Sequence, residues 1–223
     1  MEPALSKGQS MEHLSRENAA NESATAEDRA AARFTLLIRP AKLIAPQGQF
    51  LCVIRDVSAT GVSLRAFHPL PDGNAVQLEL QTGDRHPIER VWNRGSEAGY
   101  RFTAPVEVEA LIAESGVYPK RPLRLELNLA LNLQWSGHKA PATLTNLSQQ
   151  GARIECGEFL AIGQPVRLMS LRLPEIEAKV RWRDEGHYGL AFDTRFDLRE
   201  FALLGARLQC PSLLAGQPHN SHH

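Results

Sequence analysis

Cysteine is scarce in this chain, three residues in 223, and Cys52, Cys156 and Cys210 lie far apart with no CxxC spacing. Neither a disulfide framework nor a zinc site is expected from them, and all three read as reduced thiols in or near strands. An excess of either charge is also missing, since 25 Lys+Arg balance 25 Asp+Glu. Nucleic-acid binding of the general kind needs a basic surface to displace counterions from phosphates, so that class is set aside. No run approaches the roughly 20 apolar residues of a membrane span. The first 28 residues hold no apolar stretch of the secretory type, and a cytoplasmic location is expected. What is present is a 43% hydrophobic content, enough to fill real cores.

Residues 1–28 carry Glu2, Glu12, Glu17, Glu22, Glu27 and Asp28 against Lys7 and Arg16, without apolar periodicity, and read as a flexible acidic tail. Residues 209–223 read as a second tail, rich in Gly, Pro, Ser and His toward its end; His219, His222 and His223 there are read as mobile polar residues, not metal ligands. Between the tails lies an internal repeat. Ser58 and Ser148, Gly61 and Gly151, Gly73 and Gly163, Val76 and Val166, Trp92 and Trp182, Gly99 and Gly189, and Phe102 and Phe192 all keep one offset of 90. Two homologous units follow, residues 29–117 and 118–208.

Each unit alternates apolar and polar residues with period two. The first has Phe34–Ile38, Phe50–Ile54, Val62–Leu64, Val76–Leu80, Ile88–Trp92 and Tyr100–Phe102, separated by turn residues such as Pro46-Gln-Gly48 and Pro71-Asp-Gly73. Six short strands with tight connections predict an all-β fold: two tandem six-stranded antiparallel barrels, closed so that no edge is exposed. A short helix is expected after each barrel, over Val106–Ser115 and over Phe196–Ala206.

Two short elements in the first unit carry chemistry: Arg29-Ala-Ala-Ala-Arg33 before the first strand, and Asp56-Val-Ser58-Ala-Thr-Gly61 where the second strand turns into the third. Singly each is weak, since Asp-x-Ser-x-x-Gly is also an ordinary turn. Together, and echoed in the second unit within one residue of the same register, they are specific. At these residues the chain resembles the PilZ domain family, receptors for the bacterial second messenger cyclic di-GMP; the late Trp92 and Gly99-Tyr-Arg-Phe102 also resemble the family's closing strands. The resemblance covers nearly all of 29–208. It implies cyclic di-GMP as ligand, no cofactor and no metal, Arg29 and Arg33 on phosphate and guanine faces, Asp56 and Ser58 on guanine, and Gly61 shaping the turn. The residue chemistry agrees. A guanidinium forks onto a phosphate or onto guanine O6 and N7. An ionised Asp accepts from the N1–H and N2–H of guanine.

The second unit departs from the pattern. It reads Lys120-Arg121-Pro-Leu-Arg124 and Asn146-Leu-Ser148-Gln-Gln-Gly151. Losing one fork and one charge costs about 2–4 kcal/mol, a factor of roughly 30 to 1,000 in affinity. A weaker cyclic di-GMP site of Lys120, Arg121, Arg124, Asn146, Ser148 and Gly151 is therefore expected beside the alternative of a structural or protein-contact barrel. Ligand binding is expected to order residues near 25–33, and any ligand on the second motif to set the angle between barrels, because residues 116–124 are also the linker. Asp56, Asp184, Glu185 and His187 form no nucleophile–base–orienter set, and no phosphate-cradling Gly-rich loop occurs, so no enzyme is expected. The rival function is a nucleotide-independent PilZ-type adaptor. Either way a downstream protein effector is the expected partner, with no membrane span.

Overall fold

The computed structural model describes residues 34–71, 73, 75–112 and 122–215. The first barrel is built from β1 (Phe34–Ala45), β2 (Gly48–Val57), β3 (Gly61–Ala66), β4 (Ala75–Glu79), β5 (Arg85–Arg94) and β6 (Glu97–Phe102), followed by a one-turn helix α1 (Val108–Ile112). The second comprises β7 (Arg124–Trp135), β8 (His138–Ser148), β9 (Gly151–Cys156), β10 (Pro165–Ser170), β11 (Leu173–Asp184) and β12 (His187–Phe192), followed by α2 (Leu198–Gln209) and a 3-10 turn, Pro211–Leu214. Both sheets close, in the orders β1-β2-β3-β6-β5-β4 and β7-β8-β9-β12-β11-β10, with every pairing antiparallel. This is the architecture that the repeat and the period-two pattern predict.

The alternation works as expected. Leu43, Phe50, Leu64, Leu78 and Ile88 fill the first barrel, and Leu125, Leu133, Leu144, Ile154 and Leu168 the second. Cys52 is buried with them, and desolvation pushes its thiol up to about 12, which leaves it inert. Three interruptions of the alternation recur in both barrels. Register shifts lie between Ile54 and Asp56 on β2 and between Leu144 and Asn146 on β8. Matching shifts lie between Arg90 and Trp92 on β5 and between Val180 and Trp182 on β11. A bulge turns two consecutive residues to the same face. Arg55 and Asp56 thus both point outward between buried Ile54 and Val57. The third shift is unequal: β1 takes four steps from Thr35 to Arg39 against two on β2, whereas β7 takes three from Glu126 to Leu129 against two on β8. That one extra residue explains why the offset of 90 becomes 91 ahead of the bulge.

The helices differ from expectation at their ends. Asp197 caps α2 and Glu200 completes a capping box, Asp197 Oδ1 accepting from Glu200 N at 2.7 Å and Glu200 Oε2 from Asp197 N at 2.8 Å, so Phe196 stays outside the helix. The helix continues to Gln209 because its last turn is held by the first barrel. Phe201, Leu204 and Leu208 pack into the second barrel's core, while Ala206 belongs to the first barrel's core with Leu213 and Leu214 of the 3-10 turn against it. Leu51 and Phe67 reach the other way, into the second core.

Polar contacts fix this junction. Gln209 Oε1 accepts from Gln49 N at 2.8 Å, and Gln209 Nε2 donates to Gln49 O at 2.6 Å. β3 covers β2 only from Cys52 onward, so the Gln209 amide takes the place of a missing strand partner at the start of β2. Glu126 N donates to Gln49 Oε1 at 3.0 Å. Lys42, almost fully buried, donates to Arg124 O at 3.0 Å and pairs with Glu79 at 2.7 Å. Burial alone would raise the Glu79 pKa, but the bonds and charges of Lys42 and Arg85 outweigh it and hold the carboxyl below its usual range.

Two stability predictions follow from the junction and its surroundings. Gln209→Ala leaves the Gln49 N–H and C=O without partners and lowers unfolding stability by about 1–3 kcal/mol, read from urea midpoints; an unchanged midpoint would show that the amide seals nothing. His68 is fully buried against Phe50, its Nδ1 donating to Pro69 O at 2.7 Å, while Nε2 has no partner among the described residues. Burial pushes its pKa down, against the smaller opposing effect of the Pro69 bond. Below about pH 6.5 the unfolded chain binds a proton that folded His68 resists, so stability is complete above that pH and declines as pH falls. The drop in midpoint between pH 7.5 and 5.5 is expected to be smaller in His68→Leu; an equal drop would assign the acid sensitivity to other groups.

Candidate functional site

The two bulges and the registers between them align one row of residues across the outside of the first barrel. Asp56 pairs with Ser63, Ser63 with Gly99, and Gly99 with Trp92, across β2, β3, β6 and β5. Thr35 of β1 begins the row opposite Asp56. Trp92 lies flat over Gly99: a Cβ on that glycine would fall 2.0 Å from the indole Nε1. The offset-90 pairing of Trp92/Trp182 with Gly99/Gly189 is this contact, made twice, since a Cβ on Gly189 would lie 1.9 Å from Trp182 Nε1.

Beside the row, the Asp56–Gly61 turn closes on itself. Ser58 N donates to Gly61 O at 2.8 Å, and the Ser58 hydroxyl accepts from Gly61 N at 3.1 Å. Gly61 has no room for a side chain, because a Cβ would sit 2.9 Å from Tyr100 O. Ser63 Oγ donates to Asp56 Oδ2 at 2.9 Å and so orients the carboxylate. Asp56, Ser58, Gly61, Ser63, Trp92 and Arg101 line one cavity of about 390 Å³, within the size range of small-molecule sites. Arg101 is held to Glu89 at 3.0 Å, and Arg94 approaches the Trp92 ring at 5.6 Å. Trp92 gives the cavity an aromatic surface and Asp56 an oriented acceptor, an arrangement suited to a planar group carrying hydrogen-bond donors on its edge.

Asp56, Ser58 and Gly61 all line this cavity. Arg29 and Arg33 lie outside the described residues, as do Lys120 and Arg121. Sequence reasoning did not place Ser63 or Trp92 in a site. Trp92 carried a signal, a rare aromatic matched across the repeat by Trp182. Ser63 carried none, because its counterpart is Arg153.

The second barrel repeats the row with other side chains. Asn146 pairs with Arg153, Arg153 with Gly189, and Gly189 with Trp182, while Glu126 stands opposite Asn146. Arg124 Nη1 donates to Asn146 Oδ1 at 3.2 Å, and Arg153 approaches the Trp182 ring at 6.0 Å. Ser148 Oγ donates to Gly151 O at 3.0 Å in the equivalent turn, and a Cβ on Gly151 would meet Leu190 O at 2.2 Å. Of the acids and bases weighed for catalysis, Asp56 lies in the first barrel. Asp184, Glu185 and His187 sit at the β11–β12 turn of the second, where His187 lies 3.3 Å from Glu155. Among the described residues no group of three His, Cys, Asp or Glu side chains could hold a metal ion, and no helix is long and apolar enough to cross a membrane.

The chain is similar to the Borreliella burgdorferi PlzA protein, solved in complex with c-di-GMP, at 11% identity over 86% of this chain and 99% of that one, with a TM-score of 0.31. It is similar to the Bacillus subtilis inhibitor of motility (MotI/DgrA) at 16% identity over 82% and 100%, with a TM-score of 0.33. The Escherichia coli YcgR structure in complex with c-di-GMP matches at 12% identity over 72% and 76%, with a TM-score of 0.26. No curated protein matches the chain. The PilZ domain matches twice, over residues 27–114 and 120–209, one match to each barrel. The chain belongs to the PilZ domain family.

Proposed function

We propose that the first barrel is a cyclic di-GMP receptor. The observation that carries this reading is the convergence of Asp56, Ser58, Gly61 and Trp92 on one cavity. The barrel begins at Phe34, the residue after Arg33, and Phe34 and Thr35 pair with Val57 and Asp56. The arm bearing Arg29 and Arg33 therefore enters the fold at the motif turn. In this reading the Asp56 carboxylate, steadied by Ser63, accepts from guanine N1–H and N2–H. Trp92 offers its face to a base, a contact worth about 1–3 kcal/mol. Ser58 adds a hydroxyl toward guanine, Gly61 shapes the turn that lines the site, and Arg29 and Arg33 supply forks to phosphate and to guanine O6 and N7. The second motif (Lys120, Arg121, Arg124, Asn146, Ser148 and Gly151) forms a weaker site for the same ligand. Such a receptor acts in the cytoplasm on a downstream protein partner.

Calorimetric titration of cyclic di-GMP tests the reading. Saturable heat is expected for the wild type, with affinity lowered about 10- to 100-fold in Asp56→Ala and in Arg33→Ala. A flat trace at high micromolar nucleotide, or an Asp56→Ala variant that binds like wild type, would sink it.

The signal in this reading is an order transition of the arm. Two like charges at i and i+4 repel in a free helix, and a doubly anionic ligand removes that repulsion while clamping the arm to the barrel. Ligand on the second motif acts in the same way on residues 116–124, which join the two barrels and so set the angle between them. Hydrogen exchange is expected to slow across residues 25–33 when cyclic di-GMP binds. Unchanged exchange there, at saturation, would rule out the arm as the moving part.

A further inference from the structure

The two barrels share the tryptophan and glycine of the row and differ in the side chains beside them. Where the first barrel has Ser63 and Val91, the second has Arg153 and Arg181 at the same offset, one on β9 and one in the β11 bulge. Both arginines are exposed, and neither forms an ion pair among the described residues. Arg153 stands directly across the β8–β9 ladder from Asn146. Its guanidinium lies 6.0 Å from the centroid of Trp182, a contact that favours an orientation above the aromatic floor. Arg124 approaches the same Asn146 amide from the other side, at 3.2 Å. One carboxylate shares the row, that of Glu126, and its Oε2 accepts from Gln49 Nε2 of the first barrel at 3.3 Å.

The departures of the second motif, Lys120 for an arginine in the arm and Asn146 for an aspartate, each remove a ligand contact. The row adds contacts of the missing kind. A guanidinium on a strand has the fork geometry that lysine lacks and is already positioned by the sheet, so less freedom is lost when it binds. We propose that Arg153, with Trp182 beneath it and Asn146 beside it, is a recognition residue for the guanine-phosphate portion of a second cyclic di-GMP. The second barrel has moved its cation from the arm onto the sheet. Arg153 forks onto guanine O6/N7 or a phosphate, Asn146 bonds the base edge, and the Trp182 face steadies the guanidinium. Arg181 adds charge at the bulge. The proposal rests on the receptor reading of the first barrel and extends it to a site whose key residue lies outside the motif.

Titration of the full chain with cyclic di-GMP separates the two. The wild type is expected to show two binding events. Arg153→Ser, which installs the first barrel's own residue on a row that already tolerates serine, is expected to weaken the second event at least tenfold and leave the first unchanged. Asp56→Ala is expected to do the reverse, and Arg153→Lys to retain only part of the second event, since charge is kept and the fork lost. A wild type with one event, abolished by Asp56→Ala, would overturn this proposal while leaving the receptor reading intact. Two events that both survive Arg153→Ser would overturn the role of Arg153. Absence of any event would defeat the receptor reading itself.

Discussion

An indole resting on a bare α-carbon is the contact around which both candidate faces are organised. Trp92 and Trp182 lie against the sheet only because Gly99 and Gly189 present no side chain. A methyl group there would stand about 2 Å from the ring nitrogen, where no atom can fit. The bulge before each tryptophan turns it outward, and the bulge before Asp56 or Asn146 does the same across the face. Without those two inserted residues, strict alternation would send one of the pair into the core. The row then sets what each barrel offers a ligand: a serine holding a carboxylate in the first, arginines around an amide in the second.

The barrels are not beads on a string. Helix α2 contributes to both cores, Leu51 and Phe67 of the first barrel pack into the second, and Lys42 and Gln49 bond to β7 near Arg124 and Glu126. The start of β7, where the Lys120–Arg124 element of the second motif ends, is thus held by the first barrel's own side chains. Chemistry at one face and the packing between the domains share residues.

Much of this was legible in the residues. The offset of 90, set by pairs such as Trp92 and Trp182, marked the tandem units, and period-two runs such as Phe50–Ile54 marked the barrel strands. The Asp56–Gly61 turn was legible because its spacing carries its own hydrogen-bond logic. The bulges were not, since nothing in Ile54-Arg-Asp56 announces that Arg55 and Asp56 face the same way. Nor was Ser63, an ordinary strand residue whose significance comes from standing opposite Asp56. The joint between the barrels escaped as well. Gln209 reads as a polar residue at a helix end, and its bond to Gln49 links positions far apart in the chain that only folding brings together.

That bond has a consequence for how the protein is made. Synthesis runs from the N-terminus, so every strand of the first barrel leaves the ribosome well before residue 209 exists. Throughout that interval the opening residues of β2 present bare amide and carbonyl groups, with Leu51 and Phe67 uncovered beside them. A nascent or prematurely terminated chain therefore exposes a strand edge flanked by apolar side chains, the kind of surface that recruits another chain or a chaperone.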